Sequence, residues 1–291
     1  MKKTIKTVGL FGKYQDDSVG GYIVRLSDAL RARKLNVLAD ENTAGLIKEP
    51  VSGHPLATIG KKIDLAVVIG GDGTLLNVAR HLAADRVPII GVNQGRLGFL
   101  TDIQADDMIR EIEKILDGDF RSEDRLLLHA EIMRKGKIVH EANAFNDVII
   151  NKGKLARMIE FETYLDGELV NSARGDGIIV ASPTGSTAYA LSAGGPILHP
   201  TLPAIVLVPI CPHTFSNRPI VVSADSVIEV VLTGLEVQHA QVTFDGQSNY
   251  LLENNDRIYV RRFQAPVQLL HPSGHSHYDM LRAKLHWGKH L

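Results

Sequence analysis

The sequence predicts an α/β N-terminal domain with a parallel sheet, followed by a largely β, sandwich-like C-terminal domain, with the C-terminal tail packing back on the first. Three observations carry this. Strand-like apolar runs alternate with helical stripes up to about residue 122, short strand-like runs then follow with one helical interlude, and 291 residues suffice for two cores. The expected division is 1–122, joined by the tail 271–291, and 123–270.

Residues 7–11 form a short apolar run, and Tyr22, Ile23, Leu26, Ala29 and Leu30 then recur at helical spacing. Residues 36–39, 65–69 and 87–92 read as strands, and Ile109, Ile112, Ile115 and Leu116 stripe a further helix. Near Arg125 the pattern changes. Residues 126–133, 138–140, 144–150 and 158–165 read as strands, and Asp166-Gly167 is a two-residue hairpin signal. Residues 204–210, 227–232, 241–244, 257–262 and 267–270 complete the β set.

The most informative segment is Leu65-Ala-Val-Val-Ile-Gly70-Gly71-Asp72-Gly73-Thr74, a strand that breaks into a glycine turn before a helix predicted from about Leu75 to Ala83. Glycines admit positive φ and let a phosphate approach the main chain, whose N–H groups form an anion cradle at a helix N-terminus. Asp72 is out of place beside phosphate unless it accepts a proton or helps hold a metal ion. The plainer alternative is that Asp72 or Thr74 caps the helix. Neither a G-x-G-x-x-G fingerprint after the first strand nor a G-x-x-x-x-G-K-[ST] loop occurs, which excludes ordinary Rossmann and Walker chemistry.

The helical interlude carries a second motif, Asp176-Gly-Ile-Ile-Val-Ala-Ser182-Pro-Thr184-Gly-Ser186-Thr187-Ala188-Tyr189-Ala190-Leu191-Ser192-Ala-Gly194. A strand ends in a turn crowded with hydroxyls, a short helix starts at about Thr187 and Gly194 stops it. Hydroxyls and N–H groups there suit phosphate, ribose or base edges, and Tyr189 offers a stacking face. An ordinary Ser/Thr-capped helix is the competing reading. The spacing is not that of a serine-hydrolase elbow.

Gly70-Gly-Asp-Gly-Thr74 resembles the turn of diacylglycerol and sphingosine kinases and of phosphofructokinases. Taken with the Ser/Thr-rich motif, Leu97-Gly-Phe-Leu-Thr101, Phe145-Asn146-Asp147, Pro212-His213-Thr-Phe and Phe244-Asp-Gly-Gln247, the chain resembles the bacterial NAD kinases. That resemblance implies transfer of the γ-phosphoryl group of ATP to the 2′-hydroxyl of the adenosine ribose of NAD, with Mg²⁺ carried mainly by ATP. It implies Asp72 as catalytic base, beside Gly70, Gly71 and Gly73 at the substrate. Asn146 and Asp147 are expected at the adenosine end, and Thr187, Ala188, Tyr189, Ala190, Leu191 and Ser192 at the adenine pocket. Arg174 and Asp176 would lie near the rest of the dinucleotide, with Arg157, Thr184 and Gln247 as further binding positions. The family usually has glutamate where this chain has Asp147, a loss of reach expected to need a small strand shift or a bridging water. A homo-oligomer, dimer or tetramer, is implied as well. A lipid kinase with the same turn and a non-catalytic dinucleotide sensor are the rival functions.

Composition narrows the field. Lys and Arg number 32 against 33 Asp and Glu, so no global field points to nucleic acid or an anionic membrane. The single Cys211 excludes an internal disulfide framework, fits a reducing cytoplasm and reads as half-buried core sulfur. Lys6 and Lys13 break the apolar start, so it reads as a strand rather than a signal peptide, and a soluble cytoplasmic protein is expected. Five of twelve histidines lie in the tail, at 271, 275, 277, 286 and 290, but no cysteine or nearby carboxylate cluster completes a metal set, so no protein metal site is expected. His213 reads as structural.

Overall fold

The computed structural model describes residues 5–14, 16–47, 53–95, 98–153, 157–214, 216–234 and 240–287. The chain forms two compact units, Met1–Asp124 with Val267–Leu291, and Arg125–Pro266. His290, named above among the tail histidines, lies outside the described residues.

In the first unit the sheet runs in the order Gly53–His54, Asn36–Asp40, Thr7–Gly12, Leu65–Gly70, Ile89–Asn93, Val267–Pro272, Phe120–Arg125, with Ile103–Gln104 paired to the end of Ile89–Asn93. Pairing is parallel on both sides of Thr7–Gly12, in register Val8↔Val37 and Val8↔Leu65. All six residues of Leu65–Gly70 are buried, which explains its unbroken apolar sequence, since a parallel strand is covered on both faces. Helices Gly20–Ala32 and Met108–Leu116 bury Ile23, Leu26, Leu30, Met108, Ile112 and Ile115 against Leu10, Val67 and Ile90.

The chain places its second strand on one side of the first and its later strands on the other. The carboxyl ends of Thr7–Gly12 and Leu65–Gly70 therefore flank the point where strand order reverses, the place in such sheets where ligands bind.

Val267–Pro272 belongs to this sheet, not to the β unit, which corrects the sequence assignment of 267–270. It pairs in parallel with Ile89–Asn93 at Leu269↔Ile89 and buries Leu270 in the α/β core. A six-residue apolar run carries no mark of the sheet it joins. The following helix His277–Leu285 starts at Ser276, whose Oγ accepts from Asp279 N at 3.3 Å.

The second unit is a sandwich of two six-stranded antiparallel sheets. Leu128, Ala130, Ile132, Phe161, Val230 and Ile258 of one sheet share a core with Val148, Ile150, Val180, Leu207 and Phe244 of the other. Asp166 and Gly167 both take positive φ, 52° and 86°, in the hairpin their sequence announces. Lys135-Gly136 makes another, with φ of 51° and 76°. On the outer face of the second sheet, Ile149, Ile179, Ala181, Val206 and Val208 pack under Ala190 and Leu198, so the helical interlude lies across this face. Among the described residues no helix is long and apolar enough to cross a membrane.

Candidate active site

Gly71 is extended, at φ −102° and ψ −178°, and the helix begins at Asp72 rather than near Leu75. The apolar stripe from Leu75 marks where burial starts, whereas the first turn is hydrogen-bonded but uncovered and has no apolar signature. Asp72 therefore sits in the first turn and is not a cap. The expected positive φ is not found either, for Gly70, Gly71 and Gly73 are absent from the left-handed residues of the chain. Their use lies in missing side chains: a Cβ on Gly71 would meet nothing within 4 Å, so the main chain stays open to an approaching group.

Asp72 points back to the segment after Ile89–Asn93. Its Oδ2 accepts from Phe99 N at 2.8 Å, and its Oδ1 accepts from Leu100 N at 3.1 Å, Thr101 N at 3.2 Å and Thr101 Oγ1 at 3.0 Å. Thr101 Oγ1 in turn accepts from buried Asn93 Nδ2 at 3.0 Å, and Asn93 Oδ1 accepts from Gly95 N at 2.7 Å. Gly98 makes room for this arrangement, because a Cβ there would overlap Asp72 Oδ1 and Thr101 Oγ1. Gly98-Phe-Leu-Thr101 is thus the segment that fixes the carboxylate; Leu97 of the same motif lies outside the described residues.

Asp72 lines a cleft of about 510 Å³ together with Lys13, Gly70, Gly71, Asn93, Gln94, Gly95, Gly98 and Lys284. It is the single acid among these residues. Lys13 follows the first strand and is paired with Asp16 at 2.8 Å, and Lys284 lies 5.7 Å from the centre of the Phe99 ring. Glycine backbone, a helix start and two lysines make a cleft suited to phosphate. Lys13, Lys284 and Asn93 carry no local motif, and although Thr101 closes one, the sequence assigns none of the four a role at the carboxylate.

In the second unit Asn146 and Asp147 stand at the start of strand Asp147–Asn151. A second carboxylate, Asp245, gathers three consecutive N–H groups there: Phe145 N at 2.9 Å, Asn146 N at 2.7 Å and Asp147 N at 3.1 Å. The strand keeps unbroken register with both neighbours, at Asp147↔Ala181 and Val148↔Phe244. Asp147 is 3% exposed. Burial, reinforced by the charge of Asp245, pushes its carboxyl up from 3.8 to about 7.

The Ser/Thr-rich turn packs directly on this pair. Ser182 N donates to Asn146 O at 2.8 Å and Ser182 Oγ to Phe145 O at 2.6 Å, while a Cβ on Gly185 would overlap the Asn146 backbone. A short 3₁₀ turn, Gly185–Thr187, precedes the one-turn helix Tyr189–Ser192, and Gly194 at φ 87° ends it. The hydroxyls expected to face a ligand are instead spent inside the turn. Ser186 Oγ donates to Pro183 O at 2.6 Å and accepts from Leu198 N at 2.9 Å; Thr187 Oγ1 donates to Thr184 O at 3.1 Å; Thr184 Oγ1 accepts from Arg125 Nη1 at 3.4 Å. A tight turn leaves its own carbonyls unpaired, and neighbouring hydroxyls satisfy them first.

Tyr189 is 47% exposed, so its ring face is open, and Ser192 is exposed beside it. Ala188 and Leu191 are half-buried. The Ala190 side chain is fully buried in the core, so it offers no side-chain contact to a ligand.

Asp176 immediately precedes the far end of the same strand pair, and Arg174 lies two residues earlier, on strand Glu168–Gly175 of the other sheet. Asp176 pairs with Lys152 at 2.7 Å, and exposed Arg174 approaches Glu160 at 3.7 Å. The register Asp147↔Ala181 and Asn151↔Gly177 sets this end four residues away, roughly 14 Å at about 3.4 Å per residue. Arg157 and Gln247 are exposed. His213 is exposed, its N–H donating to Arg174 O at 2.8 Å. Cys211 is exposed with φ 44°, which overturns its reading as core sulfur, because the strand Ala204–Ile210 ends one residue before it.

A glycine turn and helix start at the switch point of a doubly wound sheet, with a sandwich presenting an Asn-Asp pair, a tight turn and an open tyrosine, define a two-unit nucleotide-handling protein. The family models for the ATP-NAD kinase N-terminal domain and C-terminal domain match residues 18–120 and 145–271. An NAD kinase from Thiobacillus denitrificans is 50% identical over the whole of both chains, and one from Chromobacterium violaceum is 46% identical over the same extent. Yeast NADH kinase, solved with NADH, superposes with a TM-score of 0.90 at 25% identity, covering 100% of this chain and 90% of its own. An NAD kinase from Archaeoglobus fulgidus, solved with ATP, gives 0.76 at 27% identity, covering 96% and 98%. The chain belongs to the ATP-NAD kinase family.

Three outcomes are expected from this geometry. Gly98→Ala displaces the Asp72 carboxylate and lowers turnover by about tenfold or more, with a fall in melting temperature as its bonds to residues 99–101 are lost; unchanged turnover would mean the carboxylate adapts. Gly185→Ala forces the tight turn off Asn146 and lowers stability by more than about 1 kcal/mol in denaturant unfolding; a neutral effect would show that the turn can move. The third concerns pH. Asp147 binds its proton up to about pH 7 when folded but only to about 3.9 when unfolded, so the folded state loses stability as pH rises through that window, by roughly 4 kcal/mol in total. Asp147→Asn should therefore gain thermal stability over wild type progressively from pH 4 to 7, with a constant gap above; a pH-independent gap would refute the assignment.

Proposed function

We propose that this chain is an NAD kinase, transferring the γ-phosphoryl group of ATP to the 2′-hydroxyl of the adenosine ribose of NAD to form NADP. The observation that carries the chemistry is the state of Asp72. Three of its four hydrogen bonds fall on Oδ1, leaving Oδ2 with a single donor, Phe99 N. A carboxylate has about four lone-pair sites, so Oδ2 keeps the capacity to accept the ribose hydroxyl proton while Oδ1 is clamped.

The α/β unit supplies the phosphate-handling turn, with Gly70, Gly71 and Gly73 exposing the main chain and Lys13 and Lys284 opposing phosphate charge. The sandwich supplies adenosine recognition. Asn146 presents both a donor and an acceptor, the Asp147 carboxyl, part-protonated near neutral pH, offers a diol a donor as well as acceptors, Tyr189 offers a stacking face, and the main chain of 187–192 supplies its N–H and C=O groups. With Asp72 as the one acid lining the cleft among the described residues, the donor set fits Mg²⁺ carried by ATP rather than a dedicated protein cage. The ion would neutralise charge on the transferring phosphoryl group.

A homo-oligomer, dimer or tetramer, belongs to the same reading. Gly177, the neighbour of Asp176, stands roughly 14 Å from Asp147 along the strands, at about 3.4 Å per residue. Either one extended dinucleotide spans that distance or Arg174 and Asp176 serve a ligand held by another copy.

The test is NADP formation from NAD, ATP and Mg²⁺, run beside Asp72→Asn. Product from wild type, with turnover reduced by about 10²-fold or more in the variant and NAD affinity within a few fold, is expected. Loss of binding in the variant would make Asp72 a ligand-holding group. No product from wild type, despite NAD binding, would leave a dinucleotide sensor.

A further inference from the structure

The tail histidines acquire a meaning that their sequence does not give them. His271 and His275 stack with ring centroids 4.0 Å apart and planes 16° apart, and both direct Nδ1 at one carboxylate oxygen, Asp102 Oδ2, at 2.9 and 2.7 Å. Their side chains are 1% and 6% exposed, and that of Asp102 is 6%. Asp102 lies 169 residues before His271, which is why no local spacing announced the cluster. One ligand atom from each of the three residues lies within 4.8 Å of the others.

Hydrogen bonding alone leaves this cluster poorly satisfied. Among the described residues, Asp102 Oδ1, His271 Nε2 and His275 Nε2 are buried without a hydrogen-bond partner. If both Nδ1 atoms carry protons for Asp102, a neutral His271 aims an Nε2 lone pair at the Glu123 carboxylate, whose Oε2 is 3.7 Å away. A lone pair facing an anion in a buried site is unfavourable. An ion bound on the Nδ1 side reverses the polarity: Nε2 then carries the proton and points it at Glu123, the outer carboxylate that metal-bound imidazoles commonly engage.

We propose that His271, His275 and Asp102 form a binding site for a divalent transition-metal ion of the zinc type, with Glu123 orienting His271 from outside. Two imidazoles and one carboxylate are a donor set for Zn²⁺ or Co²⁺ rather than for the oxygen-seeking Mg²⁺ that accompanies ATP. The site is separate from the cleft residues around Asp72. It lies one residue beyond Thr101, so the ion would tie the C-terminal segment to the loop that holds Asp72. Binding itself does not depend on the kinase reading.

The experiment uses the full chain, without an affinity tag that binds metal and without chelator during purification. Elemental analysis should find close to one equivalent of a transition metal. After stripping, Co²⁺ should restore a visible d–d spectrum and Zn²⁺ should raise the melting temperature. His275→Gln and Asp102→Asn should each weaken Co²⁺ binding by about tenfold or more. Wild-type protein that carries no metal, shows no Co²⁺ spectrum and melts unchanged with Zn²⁺ would overturn the proposal, as would Co²⁺ binding equally tight in both variants. Should either variant fail to fold, the wild-type spectrum and melting shift decide alone. Because no readout involves turnover, failure here is distinguishable from failure of the kinase assignment.

Discussion

A carboxylate that gathers backbone N–H groups is the device on which both units depend. Asp72 holds the N–H groups of residues 99–101, Asp245 those of 145–147, and Asp64 those of Lys6 and Thr7 at 3.0 Å each. Consecutive N–H groups that converge at a strand end or tight turn share no backbone carbonyl that could satisfy them together. An anion accepts them all, and charge-assisted bonds are roughly twice as strong as neutral ones. Each such aspartate fixes a stretch of chain at or just outside the end of a strand's ladder. In two of the three cases the stretch presents residues of the candidate site.

This device needs close approach, and glycine provides it in a way different from the one its sequence suggests. The glycines of the 70–73 turn do not use left-handed backbone, whereas Gly98 and Gly185 are required because a Cβ would overlap Asp72 or Asn146. Both lie in motifs that carry the family resemblance. Their physical role is to let a carboxylate or a carbonyl reach the main chain, and it appears only when the partner from far along the chain is in place.

Much of the α/β-then-β plan is legible because burial writes itself into local pattern: the unbroken apolar run of Leu65–Gly70, the stripe of Met108–Leu116, the Asp-Gly hairpin at 166. The turn around Asp72 is legible for the same reason, as it interrupts such a run. What escapes is whatever depends on pairing across long separations. Residues 267–270 look like any other strand, yet join the first sheet. The hydroxyls of Ser182, Ser186 and Thr187 look available, yet the carbonyls of their own turn and of Phe145 claim them. Cys211 follows an apolar strand and reads as buried, yet its left-handed backbone turns the chain out to solvent.

The tail illustrates the point most fully. Thr101 gives its N–H and hydroxyl to Asp72, and the next residue, Asp102, receives His271 and His275 from the C-terminal segment. Two residues earlier, Phe99 donates its N–H to Asp72 while its ring lies near Lys284 of the last helix. The loop that fixes the carboxylate is therefore gripped from one direction by the glycine turn and from another by residues 271–284. A loop held on one side only could pivot about Asp72 and carry its donors away; held on both, it keeps Oδ1 clamped and Oδ2 available. The C-terminal segment, which carries no substrate motif of its own, is in this sense part of the framework that positions the Asp72 carboxylate.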